Sequence, residues 1–194
     1  MGEQLERYVD LVRSSPHNLL SARGLAELPT RHVPEALAFA AMLPRGVQRL
    51  LDIGSGGGLP GMVVAIARQD LDVHLLDATR KKSTFLRQTA AALDVRVTVH
   101  NGRAEDLAAS HLAEAFDVVT ARAVAALPIL VSFAAPYLGS RGQIYAIKGE
   151  RWRDELDAAA AVLRTHGLQV LATPDDQHEP GPNDPKVIVL GRAT

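Results

Sequence analysis

Near the start of the chain Leu5, Tyr8, Val9 and Val12 recur at intervals of three and four, the spacing of one helix face, and Ser14-Ser15-Pro16 ends the pattern. A second apolar run, residues 34–43, opens with Pro34 in a first-turn position and stops at Pro44. Beyond Val47 the pattern changes. Short β-type apolar runs at 47–53, 73–77, 95–100, 116–121 and 143–148 alternate with alanine-rich amphipathic stretches at 60–68, 80–93, 104–112, 127–138 and 151–166. Such alternation predicts βαβ units, a mostly parallel sheet and helices on both of its faces. The tail reads differently: 168–173 and 186–190 are two strand candidates joined by a segment rich in Pro, Asp and Gly, which predicts an antiparallel pair closing one edge. The chain thus divides into a helical extension, residues 1–46, and an α/β domain, residues 47–194.

Composition narrows the class. The 194 residues carry 21 basic and 22 acidic side chains, a net charge of −1, and 47% are hydrophobic, which suits one folded domain with a small appendage. Without cysteine there is no disulfide framework, thiolate metal site or cysteine nucleophile, and a reducing compartment is expected. No apolar stretch is long enough to span a bilayer, and Met1-Gly2-Glu3-Gln4-Leu5-Glu6 lacks the basic flank and apolar core of a signal peptide, so the expectation is a soluble cytoplasmic protein. Near-neutral charge excludes a globally basic nucleic-acid binder but leaves room for a local basic face, and 4% aromatics argue against a base-stacking platform. The seven histidines show no metal-ligand spacing, so no metal is expected. Neither a P-loop nor a G-x-S-x-G elbow is present.

The sharpest chemical signal is Asp52-Ile53-Gly54-Ser55-Gly56-Gly57-Gly58-Leu59-Pro60-Gly61, where a strand runs into a glycine-rich turn and a helix begins. Side chains at Gly54, Gly56 and Gly58 would obstruct a ligand or force strained dihedrals. Read from Gly54 the pattern is D-x-G-x-G-x-G, the usual form in S-adenosylmethionine enzymes; read from Gly56 it is G-x-G-x-x-G, which also suits a nicotinamide-dependent oxidoreductase. Asp77 ends the next strand, where its carboxylate can accept from both ribose hydroxyls of an adenosine or cap the following helix. After the third strand, Asn101-Gly102-Arg103-Ala104-Glu105-Asp106 either faces an adenine or caps a helix. Arg122 and Lys148 end the fourth and fifth strands and are the cations expected in the crevice. Ligands of open α/β sheets bind outside the carboxyl ends of the strands, so Gly54, Asp77, Glu105, Arg122 and Lys148 are displayed together there. Arg80, Lys81, Lys82, Arg103 and Lys148 form a local basic set able to pair with RNA phosphates.

These segments, with Lys81-Lys82-Ser83-Thr84-Phe85-Leu86, Thr120-Ala121-Arg122-Ala123-Val124-Ala125, Ala146-Ile147-Lys148-Gly149, Asn18-Leu19 and Arg31-His32, resemble the RsmG (GidB) family of bacterial small-subunit (16S) ribosomal RNA guanine-N7 methyltransferases. The resemblance runs from about Tyr8 to Leu190. It implies a class I S-adenosylmethionine-dependent methyltransferase fold: a Rossmann-like, mostly parallel seven-stranded sheet with an antiparallel last strand, plus an N-terminal helical extension. It also implies that Gly54 and Leu59 line the methionine side of the cofactor, Asp77 holds the ribose, Ala104 and Glu105 border the adenine, and Arg122 lies in the cofactor and substrate crevice. The implied partner is 16S ribosomal RNA or the small ribosomal subunit, and the implied state a monomer. On the residues alone, a small-molecule methyltransferase, an oxidoreductase and a non-catalytic RNA-binding module remain alternatives.

Overall fold

The computed structural model describes residues 2–176, 181 and 183–192. Among these residues seven strands form one sheet: β1 (Arg49–Ile53), β2 (Asp72–Asp77), β3 (Thr98–Asn101), β4 (Phe116–Arg122), β5 (Leu138–Lys148), β6 (Leu168–Ala172) and β7 (Lys186–Arg192), in the order β3-β2-β1-β4-β5-β7-β6. β1 to β5 are mutually parallel, and β7 runs antiparallel to both neighbours. β7 is therefore inserted between β5 and β6, and β6 and β3 are the two edge strands.

The central strands read as continuous apolar runs because both faces are covered. Leu50, Leu75 and Val118 belong to one core, whereas their successors Leu51, Leu76 and Val119 belong to the other, as side-chain alternation requires. The first face is covered by α1 (Glu3–Arg13), α3 (Val33–Met42), α4 (Gly61–Ala67) and α5 (Arg80–Leu93); the second by α6 (Ala104–Leu107), α7 (Leu127–Ala134) and α8 (Trp152–Thr165). Tyr8, Leu28 and Phe39 of the N-terminal extension are fully buried in the same core as Leu59, Met62 and Leu75 of the α/β part.

A helical segment that periodicity does not announce precedes α3. α2 (Ala22–Glu27), N-capped by Ser21 Oγ accepting from Gly24 N–H at 3.1 Å, runs through a π-helical turn, Leu28–His32, into α3. Val33 N–H donates to Leu28 O, five residues back. Pro29 and Pro34 lack the N–H of a regular ladder, and a widened turn relieves the clash of a proline ring with the carbonyl four residues before it.

Several predicted boundaries shift for local reasons. The strand expected at 95–100 is confined to β3, because Val95 N–H still donates to Ala90 O to close α5, and pairing with β2 begins only at His74↔Thr98. The helix expected at 104–112 ends at Leu107: Ser110 Oγ donates to Leu107 O and accepts from Leu112 N–H, which diverts the chain into turns. β5 starts at Leu138 rather than 143, with a register shift opposite Phe116 and Val118. α7 ends at Ala134, and a 3₁₀ turn leads into β5.

Candidate functional site

Strand order reverses between β1 and β4, and the carboxyl ends of β1 to β5 are level there: Ile53 pairs with Leu76 and Ala121, Asp77 with Asn101, and Arg122 with Ile147. An open parallel sheet binds ligands at this switch point. Gly54, Asp77, Glu105 and Arg122 are brought to that edge, as expected.

The glycine turn is built from both sides. Gly54 N–H and Ser55 N–H donate to Leu76 O at 2.7 and 3.1 Å, tying the turn to β2. Asp77 Oδ2 accepts from Gly56 N–H at 2.9 Å and Oδ1 from Thr79 N–H at 2.7 Å. Asn101 Nδ2 and Ser83 Oγ both donate to Asp77 O, at 3.0 and 3.1 Å, so Asn101 braces Asp77 rather than capping α6. Each Asp77 oxygen keeps acceptor capacity beyond its one main-chain bond.

The glycines divide by task. Among the described residues a Cβ on Gly56 would meet only Gly54 O at 3.7 Å, so the space over the turn is open. At Gly61 a Cβ would stand 2.4 Å from Leu75 Cδ2 and 2.7 Å from Asp52 Oδ2, and at Gly58 it would stand 2.8 Å from Met62 Cβ; those positions serve close packing of α4 on the sheet. Leu59 is likewise buried in the core. An open, glycine-floored cradle beside a carboxylate with spare lone pairs fits a nucleoside whose ribose hydroxyls donate. Ala104 is buried, its carbonyl accepting from Tyr137 O–H at 2.6 Å, and Glu105 is exposed at the start of α6.

Asp52 sits beneath the turn, fully buried. Its Oδ2 accepts from Gly61 N–H at 3.0 Å, and Oδ1 has no hydrogen-bond partner among the described residues. Burial pushes its carboxyl up to about 7, against the opposing pull of the Gly61 N–H and of Arg122. Sequence reading placed it in the motif without assigning it this burial.

On the other side of the switch point, Arg122 Nη1 lies 3.1 Å from His32 Nδ1 and 3.9 Å from Glu35 Oε2. The π-helical turn thus delivers an N-terminal side chain to the end of β4. Pro29 and Pro34 were the available sequence signal for that irregularity. The following loop descends on the glycine turn: Ala123 adopts φ +55°, and a Cβ on Gly54 would come within 2.5 Å of Val124 Cγ2.

Lys148 differs from expectation. Its ammonium donates to Ala125 O at 2.7 Å and to Glu155 Oε2 at 2.8 Å, and its side chain is only 7% exposed. Glu155 Oε2 also accepts from Leu127 N–H at 2.8 Å. Lys148 therefore ties down the 123–126 loop instead of presenting a free cation to a reacting group or an RNA phosphate, because the carboxylate and carbonyl satisfy it internally. Burial alone would raise Glu155, but the Lys148 and Leu127 hydrogen bonds outweigh it and hold the carboxyl below its ordinary value. Arg80, Lys81 and Arg103 are exposed and Lys82 half-buried, at the starts of α5 and α6 on the crevice rim. Among the described residues no group of three or more His, Asp or Glu is arranged to hold a metal, and no helix is long and apolar enough to cross a membrane.

The GidB family model, described as rRNA small subunit methyltransferase G, matches residues 1–181. The chain is 41% identical over 180 residues to a ribosomal RNA small subunit methyltransferase G of Sorangium cellulosum, covering 90% of this chain and 74% of that protein. A protein of the same name from Acidothermus cellulolyticus is 41% identical over 166 residues, with 84% of this chain and 72% of the relative covered. Among solved structures, a TehB-like SAM-dependent methyltransferase from Corynebacterium glutamicum superposes with a TM-score of 0.60 at 21% identity, over 89% of this chain and 94% of that one; it shares the fold. With a family model spanning nearly the whole chain and a glycine turn, strand-end carboxylate and strand order of the methyltransferase type, the chain belongs to the GidB family of rRNA small subunit methyltransferases G.

Proposed function

We propose that this protein transfers a methyl group from S-adenosylmethionine to N7 of a guanine in 16S ribosomal RNA, acting as a cytoplasmic monomer on the RNA or the small ribosomal subunit. The family match over residues 1–181 carries this reading. When bound, S-adenosylmethionine supplies a methyl group already activated on a sulfonium. In the proposal, Asp77 accepts from the ribose hydroxyls, Gly54 and Gly56 let the main chain approach the cofactor, Leu59 supports the turn from the core, and Ala104 and Glu105 border the adenine. Guanine N7 carries a free lone pair at neutral pH, so no side chain needs to remove a proton. The protein's contribution is alignment of N7 for in-line attack. Arg122 grips the acceptor, while Arg80, Lys81, Lys82 and Arg103 hold RNA phosphates on the rim. N7 lies in the deep major groove of A-form RNA, so the target is an accessible loop.

The test is incubation with labelled methyl donor and small subunits from cells lacking the modification, followed by mapping of the label. Label on one guanine N7 is expected, and calorimetric donor affinity should fall at least tenfold in Asp77→Ala. Label on a metabolite alone, or heat with a pyridine dinucleotide and none with the donor, would overturn the reading.

A further inference from the structure

Beside the cofactor side of the switch point, the ends of β4 and β5, the π-helical turn and the start of β7 enclose a cleft of about 590 Å³, lined by His32, Glu35, Arg122 and Lys148 among others. A pocket of this size accommodates a small ligand. Its polar groups are arranged unequally. Arg122 can only donate, so at 3.1 Å the His32 Nδ1 must accept, leaving His32 neutral with its proton on Nε2. His32 Nδ1 then has no proton to offer Glu35 Oε2, 3.3 Å away. Glu35 Oε1 is taken by Arg31 Nε at 2.8 Å, while Oε2 has Arg122 only at 3.9 Å. Among the described residues the cleft therefore presents a carboxylate oxygen lacking a donor next to a guanidinium with N–H groups to spare.

We infer that Glu35 is the residue that selects guanine, reading its N1–H and exocyclic amino group while Arg122 donates to O6. This inference rests on the proposed guanine-N7 transfer. With N7 turned toward the cofactor side, guanine presents an O6 acceptor followed by two donors on its other edge, the complement of the Arg122–Glu35 pair. Adenine reverses both: its N6 amino group would face the guanidinium, and its N1 lone pair the carboxylate. Both side chains are half-buried, and opposing either with its like once the base fills the cleft is costly, so the pair rejects adenine as well as accepting guanine. His32 is a positioning residue that holds Arg122 beside Glu35.

The experiment uses small subunits reconstituted with rRNA carrying either guanine or a single inosine at the methylated position. Inosine keeps N7, O6 and N1–H but lacks the amino group. The wild-type protein should favour guanine over inosine in kcat/KM by about tenfold, the loss expected for one charge-assisted hydrogen bond. Glu35→Gln, isosteric and uncharged, should lower that preference to a few-fold, Glu35→Ala should bring it near one, and Glu35→Asp should retain part of it. Calorimetric affinity for S-adenosylmethionine should stay unchanged in all three. A merely structural role would lower turnover on both substrates equally, so an unaltered guanine-to-inosine ratio in the Gln and Ala variants overturns the assignment. Absence of label from wild-type protein on guanine particles would overturn the proposed reaction itself, a separate and recognisable failure.

Discussion

Replacing Lys148 by methionine separates a loop brace from an RNA contact. Methionine keeps an unbranched apolar stem one atom shorter and removes both ammonium bonds, to Ala125 O at 2.7 Å and Glu155 Oε2 at 2.8 Å. A charge-assisted hydrogen bond contributes about 1.5–3 kcal/mol, and an orphaned carbonyl costs about 1–3 kcal/mol. Glu155 is 30% exposed, so water compensates part of its loss, and the total should fall near 3 kcal/mol, at the lower end of the range for breaking a buried pair. Glu155→Gln keeps an acceptor for Leu127 N–H and loses only the charge, for about 1–2 kcal/mol. Because both variants weaken the same Lys148–Glu155 bridge to the loop, urea denaturation of the two singles and the double should give a coupling energy of at least about 1 kcal/mol. Methyl transfer should drop in both singles, with kcat falling more than KM rises, since Val124 loses its position over the glycine turn. A Lys148 that gripped RNA would behave otherwise: Lys148→Met would reduce the salt slope of RNA binding by about one, and Glu155→Gln would not share its defect. Wild-type stability of Lys148→Met, or full activity of Glu155→Gln, would refute the brace.

Three further outcomes are expected. Gly61→Ala drives a methyl into Leu75 and Asp52 and should destabilise by about 1–3 kcal/mol in denaturant titration, with α4 displaced. Tyr8→Phe removes the buried O–H donated to Gly57 O at 2.9 Å and should cost about 1–2 kcal/mol by thermal unfolding. His100, whose Nε2 meets His74 Nδ1 at 2.9 Å, is pushed down to about 4 chiefly by burial, with the neighbouring His74 adding to the effect. The unfolded chain then takes up a proton near pH 6.5 that the folded one refuses, so stability falls as pH drops from about 6.5 to about 4 and levels off below. His100→Gln should remove the His100 share of that acid sensitivity and leave the share of His74, which burial also lowers, the difference from wild type reaching about 1–2 kcal/mol once discounted for the ring's partial solvation, measured as unfolding free energy against pH.

Much of the architecture was legible because its determinants are local. Hydrophobic period distinguished the α1 face from the strands, glycines and a proline punctuated the turn after β1, and the α5 bounds, Arg80–Leu93, were read without error from 80–93. Asp77 and Arg122 were placed at the crevice because a strand's last residue in a parallel sheet lies at its carboxyl edge whatever the partners. Periodicity could not foresee which partner a side chain would choose. Lys148 ends β5 as predicted, yet its ammonium turns inward because α8 brings Glu155 to it from seven residues on and the β4–α7 loop brings Ala125 O. The segment before α3 escaped notice since Pro29 and Pro34 interrupt the 3.6-residue repeat that signals a helix, and packing of Leu28 and Val33 into the core stabilises the widened turn. Composition and pattern alone thus determined the layers of this protein and the strand ends where chemistry gathers. Tertiary structure decided the insertion of β7 beside β5, the meeting of His32 and Glu35 with Arg122, and the burial of Asp52, since each depends on residues far apart in the chain competing for one donor, acceptor or cavity.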